Sequence, residues 1–248
     1  MISAIAITYN EEQNIERYIE SLSFADEIVI VDANSTDKTA ELAIQLGVKL
    51  ITNDFVNFSS QKNFAIQQAS HDWVVFFDLD EIISPELALE IKNKVGSNND
   101  VKAYKVKRIN YFMGKKITYS GFQNDYVVRL FHKKYCTYDN NQVHETLKVK
   151  GSIEKLKNTC DHYTYKNFDT YNEKLSRYSK LQAQTLFEKN VRPNLYHFLV
   201  RPLYRFMHQY ILRLGFADGK EGLILAYLSG FSVFKRYLFL WVIYRNID

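Results

Sequence analysis

Apolar and polar positions alternate regularly over the first hundred residues. Four short apolar runs have the length and composition of buried β-strands: 2–8, 27–31, 48–52 and 73–77. Three stretches between and after them place apolar residues at helical spacing: 12–22, 36–46 and 59–69. Strands that alternate with helices in this way predict a parallel sheet covered by helices on both faces.

The pattern changes after this first region. Ser84 followed by Pro85 predicts the start of another helix, because serine caps a helix N-terminus and proline fits its first position. Short strand-like segments at 101–108 and 126–131 indicate a mixed continuation of the sheet. Beyond about residue 168 the pattern predicts helix to the end of the sequence. We therefore expect an α/β fold with a helical C-terminal extension.

Two apolar runs lie near the C-terminus, at 222–234 and 237–244, and Lys235 and Arg236 separate them. Neither run reaches the roughly 18 to 20 residues that a membrane-spanning helix needs. The sequence therefore predicts a buried helix or a helix lying in the plane of a membrane surface, and no membrane span.

The charge is distributed unevenly. The whole chain carries a formal charge of +4, but residues 1–100 carry −11 and residues 101–248 carry +15. The second part also holds 28 of the 37 aromatic residues. An acidic half followed by a basic, aromatic half suggests a cation site in the first and an anionic partner for the second. That partner could be a phosphorylated glycan, a membrane surface or nucleic acid.

Cysteine content and the N-terminus indicate the compartment. Cys136 and Cys160 are too few for a disulfide scaffold and too isolated for a typical zinc site. Met1 leads directly into a short apolar run without the basic region of a signal peptide. We expect a protein that is made and kept in the cytosol.

Polar side chains follow three of the predicted strands, at residues 8–12, 32–37 and 78–81. Ligands of open parallel sheets bind beyond the carboxyl ends of the strands. Carboxylates gathered there repel one another unless a cation or a polar ligand is bound. Asp78 and Asp80 can supply hard oxygen ligands to a divalent metal, although an acidic turn or helix-capping carboxylates would give the same local pattern. Asp32 can equally be a turn or cap residue.

Several common catalytic motifs are missing from the sequence. It contains no G-x-x-x-x-G-K-[ST] phosphate loop and no G-x-G-x-x-G after the first strand, and it lacks H-E-x-x-H and G-x-S-x-G. These absences disfavour a P-loop NTPase and a dinucleotide-binding enzyme. We expect the phosphates of any nucleotide to be held by a metal and by side chains.

Taken together, these segments resemble the family 2 glycosyltransferases of the GT-A fold, which use a nucleotide-sugar donor and invert the anomeric centre. The first-half segments that carry the resemblance are 6–12 (AITYNEE), 30–39 (IVDANSTDKT), 61–65 (QKNFA) and 77–81 (FDLDE). The second-half segments resemble the branch that adds glucose to the inner core of bacterial lipopolysaccharide: 110–114 (NYFMG), 125–131 (DYVVRLF), 143–145 (VHE), 162–165 (HYTY) and 210–219 (YILRLGFADG).

The resemblance implies a Rossmann-like GT-A sheet and a division of labour along the chain. Residues 1–100 would form the half that binds the nucleotide-sugar donor. Residues 101–167 would form the acceptor-binding half of the same domain, and residues 168–248 a helical, basic and aromatic extension.

The resemblance also implies roles in donor binding. Thr8 and Asn10 would line the nucleoside pocket, and Asp32 would accept hydrogen bonds from uracil or ribose. Glu11 would also bind the nucleotide-sugar. The remaining donor-binding residues would be Lys62, near the base or the diphosphate, Asp78, on the ribose, and Asp80, on a divalent Mg²⁺ or Mn²⁺ ion. His144 would join the metal, since neutral imidazole is a competent ligand, although a structural histidine fits the sequence as well.

Inversion needs a base that deprotonates the acceptor hydroxyl, and a carboxylate suits this role. Asp125 is the preferred candidate because its position matches that of the base in relatives. The alternative is that Asp125 is a turn residue whose carboxylate pairs with Arg129. Glu145 is a substitute base or a residue that binds the acceptor.

The sequence therefore predicts a metal-dependent enzyme that moves a hexose, with glucose expected, from a UDP-sugar to a core sugar of lipopolysaccharide. Another lipid-linked acceptor or a protein acceptor remains an alternative, as does a metal-dependent nucleotidyltransferase. A nucleic-acid binder would explain the basic half but not the acidic strand ends, so we expect no nucleic-acid partner. The oligomeric state stays open.

The basic C-terminal part has two interpretations. Arg201, Arg205 and His208 fall at helical spacing beside apolar residues, as on the solvated face of a core helix. The same pattern suits an interfacial helix whose cations meet anionic lipid headgroups. We expect the second, with the protein peripheral on the inner face of the cytoplasmic membrane.

Overall fold

The computed structural model describes residues 1–97, 100–139, 146–165 and 167–247. Strands and helices alternate through its first hundred residues, as the sequence predicts. The strands of this region are β1 (Ile2–Thr8), β2 (Glu27–Asp32), β3 (Lys49–Thr52), β4 (Trp73–Phe76) and β5 (Glu81–Ile83). The helices are α1 (Ile15–Ser21), α2 (Thr39–Gln45), α3 (Phe58–Gln68) and α4 (Pro85–Gly96).

The middle of the chain is mainly strands. They are β6 (Val101–Phe112), β7 (Lys115–Ile117), β8 (Tyr126–His132), β9 (Cys136–Tyr138), β10 (Leu147–Val149) and β11 (Ser152–Tyr165), with a 3₁₀ turn at Lys133–Tyr135. The predicted strands at 101–108 and 126–131 are confirmed as β6 and β8. The short strand β5 and the long strand β11 were not predicted from the sequence.

The main sheet is mixed. Its strand order is β3-β2-β1-β4-β8-β6-β11-β5, and β7 pairs with β6 beside this path. The strands β1, β2, β3 and β4 run parallel, whereas β8 is antiparallel to both of its neighbours and β5 is antiparallel to β11. The parallel part thus continues into an antiparallel part, as expected.

Helices cover both faces of the parallel part. Along β1, Ala4 and Ala6 pack in a core with residues of α1, α2 and α4, whereas Ile5 packs in a second core with residues of α3. Because successive strand residues point to opposite faces, a continuous apolar strand such as β1 requires cover on both sides.

Local signals fix two helix starts. The Ser84 side chain accepts a hydrogen bond from the backbone N–H of Leu87 at 3.2 Å, and Pro85 occupies the first turn of α4, as predicted. In α3 the Asn57 side chain accepts from the N–H of Ser60 at 2.8 Å, while the Ser60 hydroxyl faces the N–H of Asn57 in return. Such reciprocal caps satisfy backbone groups that a helix leaves unpaired at its start.

The chain separates into two compact units. One comprises Met1–Arg108 and Asp125–His162, and the other Ile109–Asn124 and Tyr163–Asp248. The division by function into residues 1–100, 101–167 and 168–248 stays a prediction.

The second unit is mostly helical, which confirms the predicted C-terminal extension. Helix α5 (Phe168–Glu188) is followed by a π-helical turn at Tyr196–Val200, helix α6 (Arg201–Met207), a second π-helical turn at His208–Leu212 and a 3₁₀ turn at Gly215–Asp218. The last helix, α7 (Gly219–Arg245), packs against α5 and α6.

The two C-terminal apolar runs form one continuous helix rather than two separate segments. Residues 215–245 are long and apolar enough to cross a membrane, by length and composition alone. Each run alone is too short, as expected, but Lys235 and Arg236 do not interrupt the helix that joins them. The expectation of no membrane span stays a prediction. Since core helices of soluble proteins meet the same criterion, this length is weak evidence for a span.

Candidate active site

The carboxyl ends of β1, β2 and β4 lie at one edge of the sheet, because these neighbouring strands are parallel. Thr8 at the end of β1 is in register with Asp32 at the end of β2. Asp78 and Asp80 follow β4. The structure therefore brings three of the polar segments that follow predicted strands to the same edge, where α/β proteins bind ligands.

Hydrogen bonds join the segment after β1 to the segment after β2. The Asp32 carboxylate accepts from the Ser35 N–H at 2.8 Å and from the Ser35 hydroxyl at 2.5 Å. The Asn10 N–H donates to Ser35 Oγ at 2.9 Å, and Asn10 Oδ1 accepts from the N–H of Thr36 at 2.8 Å. Asn10 adopts a φ of 54°, in the left-handed region that asparagine tolerates. Asp32 is thus a turn-stabilising residue as well as a candidate ligand.

Thr8 is a buried residue whose hydroxyl lacks a protein partner. Its exposed fraction is 5%, and within the described part of the chain its Oγ1 makes no hydrogen bond. An unsatisfied buried hydroxyl is costly, and such groups are unusual in native proteins. This atom is available to a ligand that reaches the end of β1.

Glu11 contributes mainly to the local structure of this corner. Its N–H donates to the Thr39 hydroxyl at 2.7 Å, and its carboxylate accepts from the side-chain amide of Asn14.

An arginine neutralises the acidic segment after β4. Arg129 on β8 is buried, and its Nη2 donates to Glu81 Oε1 at 2.6 Å and also to Asp78 Oδ2. β8 pairs with β4, so Arg129 lies where it can reach both acids. Repulsion between the carboxylates at this edge is therefore relieved in part by the protein itself. The sequence reasoning did not foresee this ion pair.

The two acids paired with Arg129 titrate differently. Burial favours the neutral form of Asp78, but Arg129 and the Lys62 ammonium outweigh it and lower the pKa of Asp78 to about 2. Burial dominates for the completely buried Glu81 and raises its pKa above the usual range despite Arg129. Asp78 is thus held ionised, whereas burial favours the neutral form of the Glu81 carboxyl.

Lys62 lies close to this cluster. It comes from α3, and its Nζ lies 5.1 Å from the ring centre of Tyr138 and 5.9 Å from that of Phe76. Its positive charge acts on Asp78 and helps to lower the pKa of that carboxyl.

Asp80, which directly precedes β5, faces a histidine of the neighbouring strand β11. Asp80 Oδ2 lies 3.5 Å from Nε2 of His162, and both side chains are largely buried. His162 lies on β11 opposite Glu81 of β5, so the antiparallel pairing of these strands brings it to Asp80. Among the residues the structure describes, no group of three or more His, Cys, Asp or Glu side chains could hold a metal.

The predicted base Asp125 also pairs with an arginine. Arg108 Nε donates to one of its carboxylate oxygens at 3.0 Å, and Arg108 Nη2 to the other at 2.8 Å. Arg108 Nη1 also lies 3.4 Å from Glu81 Oε1. The alternative pairing of Asp125 with Arg129 is therefore wrong, because Arg129 points toward Asp78 and Glu81.

His144 and Glu145 lie outside the described residues, so their predicted roles stay predictions. The residue that sequence reasoning missed in this region is His162. A signal for it does exist in the sequence, since it begins the segment 162–165 that contributes to the family resemblance.

Comparison with known proteins places this arrangement in a family. Residues 3–187 match the family described as Glycosyl transferase family 2. The chain belongs to this family. It is similar to the lipopolysaccharide core biosynthesis glycosyltransferase LpsC of Rhizobium meliloti, with 28% identity over 250 residues that cover 95% of this chain and 93% of that protein. The chain is also similar to an uncharacterized glycosyltransferase of Rickettsia typhi. The two are 28% identical over 247 residues, which cover 95% of this chain and 85% of that protein.

Solved structures also show a partial likeness. Glucosyl-3-phosphoglycerate synthase from Mycobacterium tuberculosis, in complex with Mn²⁺, UDP and glucosyl-3-phosphoglycerate, matches with a TM-score of 0.39 at 24% identity. The match covers 45% of this chain and 44% of that chain, too little for a comparison of individual residues.

The family membership and the observed topology confirm the predicted fold. The protein is a family 2 glycosyltransferase with a GT-A-like mixed sheet, helices on both faces of its parallel part and a helical C-terminal extension. The resemblance to glycosyltransferases of the lipopolysaccharide core is confirmed as well.

Proposed function

We propose that this chain transfers a hexose, with glucose as the first candidate, from a UDP-sugar to a core sugar of lipopolysaccharide and inverts the anomeric carbon. Similarity to LpsC over nearly the full length of both chains supports the acceptor class. The observation that carries the proposal is the convergence of Asp32, Asp78 and Asp80 at the carboxyl edge of the sheet in a family 2 chain.

The end of β1 and the end of β2 would bind the nucleoside. Thr8 has a buried hydroxyl without a protein partner, and Asp32 lies beside it in register. Asn10 fixes the connecting loops, so that these groups are ordered before the ligand arrives. Uracil and ribose offer the donors and acceptors that such groups require.

Asp78 would accept a hydrogen bond from the ribose. Arg129 keeps this carboxylate ionised and anchors one of its oxygens. The other oxygen can then accept from a hydroxyl, because each carboxylate oxygen has two lone pairs. Lys62 would approach the diphosphate with its positive charge.

Asp80 and His162 would hold a divalent cation, Mg²⁺ or Mn²⁺. Their carboxylate oxygen and imidazole nitrogen face each other at 3.5 Å, and both groups are competent ligands. Two protein ligands suit a cation of this kind, which usually completes its shell with water and substrate phosphates. When bound, it would neutralise charge on the leaving diphosphate. His144 remains a further candidate ligand.

Asp125 would accept the proton of the acceptor hydroxyl. The bidentate pair with Arg108 fixes the orientation of its carboxylate, and the remaining lone pairs can still take a hydrogen bond. A base held in a fixed position aligns the attacking oxygen and thereby lowers the entropy cost of the step. Glu145 remains the substitute base or a residue that binds the acceptor.

The C-terminal unit would attach the enzyme to the inner face of the cytoplasmic membrane, where a lipid-linked acceptor is accessible. Many large apolar side chains of this unit are exposed, among them Leu195, Leu199, Leu203, Tyr204 and Tyr227. Such side chains together with arginines suit an interfacial location.

A donor screen tests the proposal. Thermal unfolding of the full chain is followed with UDP, UDP-glucose and other nucleotide sugars, each with and without Mn²⁺. A ligand at 100 times its dissociation constant adds about 2.7 kcal/mol to stability, which shifts the melting temperature measurably. UDP-sugars with Mn²⁺ should stabilise most. Stabilisation by nucleoside triphosphates but by no UDP-sugar would contradict it.

A further inference from the structure

Glu81, the first residue of β5, is a completely buried carboxylate to which the proposed reaction assigns no role. Removing a carboxylate from water is costly unless hydrogen-bond donors and opposite charges surround it. The donors around Glu81 come from two directions, and each of its oxygens faces one of them.

One oxygen of Glu81 holds the turn that follows β4. Glu81 Oε2 accepts from the backbone N–H of Asp78 at 3.1 Å, and the Glu81 N–H donates to the carbonyl oxygen of Asp78 at 2.9 Å. These two bonds close the turn in which Asp80 also lies. The buried Tyr18 hydroxyl donates to the carbonyl oxygen of Phe77 at 2.8 Å and fixes the residue before the turn. The conformation of the turn therefore depends on the Glu81 side chain.

The other oxygen of Glu81 accepts from two arginines. Arg129 Nη2 donates to Oε1 at 2.6 Å, and Arg108 Nη1 donates to the same atom at 3.4 Å. Each arginine also holds a second acid. Arg129 donates to Asp78, and Arg108 donates to both oxygens of Asp125 at 3.0 and 2.8 Å. The paired side chains thus form one connected series in the order Asp78, Arg129, Glu81, Arg108 and Asp125.

The two ends of this series have different tasks in the proposed reaction. Asp78 would accept from the donor ribose, and Asp125 would take the proton of the acceptor hydroxyl. A guanidinium is a planar fork whose donors have fixed directions. A shift of the one acid that lies between the two arginines therefore changes the direction of both forks.

Glutamine cannot replace Glu81 without a loss. Both oxygens accept, one from the Asp78 N–H and the other from the arginines. A glutamine amide has one accepting oxygen and an NH₂ group that only donates, so one side would place donor against donor. Aspartate would keep both oxygens and the charge, but it withdraws them toward the backbone by one methylene group.

We propose that Glu81 is a positioning residue of the transfer reaction, which orients the donor-binding Asp78 through Arg129 and the base Asp125 through Arg108. The proposal rests on the function proposed above and adds to it a residue that touches neither substrate. Such positioning affects the rate strongly, because a displacement of about 1 Å at a reacting group can cost about 100-fold.

A double-mutant cycle on the full chain tests the connection to the base. It compares kcat for wild type, Glu81→Gln, Asp125→Asn and the double variant, with UDP-glucose, Mn²⁺ and a truncated lipopolysaccharide core. E81Q should lower kcat by about 10- to 100-fold in the wild-type background. In the D125N background it should lower kcat by less than about twofold, because the base that Glu81 orients is already lost.

A second cycle tests the connection to the donor. It measures UDP affinity by calorimetry in the presence of Mn²⁺, with Asp78→Asn in the place of D125N. E81Q should weaken UDP binding by roughly 2- to 13-fold in the wild-type background, the equivalent of one hydrogen bond. In the D78N background the effect should nearly disappear, because the carboxylate that Arg129 and Glu81 hold is absent.

Glu27→Gln is the matched control. Glu27 also accepts through both oxygens, from the Ser3 hydroxyl and from the N–H and hydroxyl of Ser70. It lies at the start of β2, at the opposite end of that strand from Asp32. E27Q should lower the free energy of unfolding but leave kcat and UDP affinity within twofold of wild type. Glu81→Asp keeps the test valid if E81Q does not fold, and its effect on kcat should also disappear in the D125N background.

Equal effects of E81Q in both backgrounds of a cycle would overturn the proposal, since a merely structural role lowers kcat and affinity whatever the partner residue. Wild-type transfer and UDP binding by E81Q and E81D would overturn it too. Normal kcat in D125N would overturn the connection through Arg108, because Asp125 would then not be the base. Failure of the proposed function gives a different result: wild type itself would bind no UDP, and the role of Glu81 would fall with it.

Discussion

Asp80 Oδ2 and His162 Nε2 lie 3.5 Å apart, although the two residues are distant in the sequence. The pairing of β11 with β5 creates this proximity, since it places His162 opposite Glu81, the residue after Asp80. A carboxylate and an imidazole that face each other at a strand end suit a divalent cation that substrate phosphates also bind.

Replacement of His162 by alanine should lower the affinity of the proposed metal site for Mn²⁺. We expect the Mn²⁺ concentration for half-maximal UDP binding to rise by roughly 10- to 100-fold, the range seen when the surroundings of a bound metal are disturbed. The measurement is a Mn²⁺ titration of UDP binding by calorimetry. His71→Ala, which alters a histidine before β4, is the control and should titrate like wild type. An unchanged Mn²⁺ requirement in H162A would remove His162 from the metal site.

Replacement of Thr8 by valine should separate stability from ligand binding. Valine keeps the shape of the side chain but removes the buried hydroxyl that has no partner within the described residues. The free energy of unfolding should therefore stay the same or rise, because a buried unsatisfied polar group costs about 1 to 3 kcal/mol. UDP affinity should fall by roughly 2- to 13-fold, the equivalent of one hydrogen bond of 0.5 to 1.5 kcal/mol.

The matched control for this change is Thr39→Val. Thr39 is completely buried too, but its hydroxyl accepts from the Glu11 N–H and donates to Asp37. T39V should lower the free energy of unfolding, as measured by urea titration. If T8V were as destabilised as T39V, the Thr8 hydroxyl would have a role in the unliganded fold.

The pairing of Asp78 with Arg129 should appear in the pH dependence of stability. The folded-state pKa of Asp78 is about 2, below the ordinary value of 3.8, so the ionised form contributes stability above about pH 4. This contribution is lost as the pH falls from about 4 through about 2. The difference in unfolding free energy between wild type and Asp78→Asn should therefore shrink from pH 6 to pH 3 in urea titrations. A constant or growing difference would contradict the ion pair.

The choice of base can be tested by two amide substitutions. Asp125→Asn keeps the size of the side chain but cannot take the acceptor proton, so kcat should fall by roughly 10² to 10⁴. The UDP dissociation constant should stay within a few-fold of wild type, because Asp125 does not bind the donor in this account. Steady-state kinetics of Glu145→Gln provide the comparison. Normal transfer by D125N together with loss of transfer in E145Q would reverse the two roles.

The sequence predicted the elements whose signals are local. β1, β2 and β4 have buried apolar runs, and Ser84 with Pro85 begins α4 as expected. β11 lacks a clear alternation of apolar and polar residues, and β5 is only three residues long, so neither could be recognised. The length of the last helix was underestimated, because the pair Lys235 and Arg236 does not end a helix that packs on its neighbours.

The sequence predicted the acidic residues of the candidate site but not the side chains that pair with them. Asp78 and Asp80 were recognisable from their spacing after a strand, and the structure places them at the expected edge. Arg129, Arg108 and His162 reach the acids only through strand pairing, which depends on register and not on neighbours in sequence. For this reason Arg129 and Asp125, close in sequence, are not paired with each other.

The central claim is the transfer of a sugar from a UDP donor with inversion. The most direct measurement incubates the full chain with UDP-glucose, Mn²⁺ and a truncated lipopolysaccharide core, followed by analysis of the nucleotide released and NMR of the new glycosidic bond. The account predicts one UDP released per hexose added, a β-linkage from the α-linked donor, and no product with Asp80→Ala. An α-linked product, or pyrophosphate released from a nucleoside triphosphate instead of UDP from the sugar donor, would contradict it.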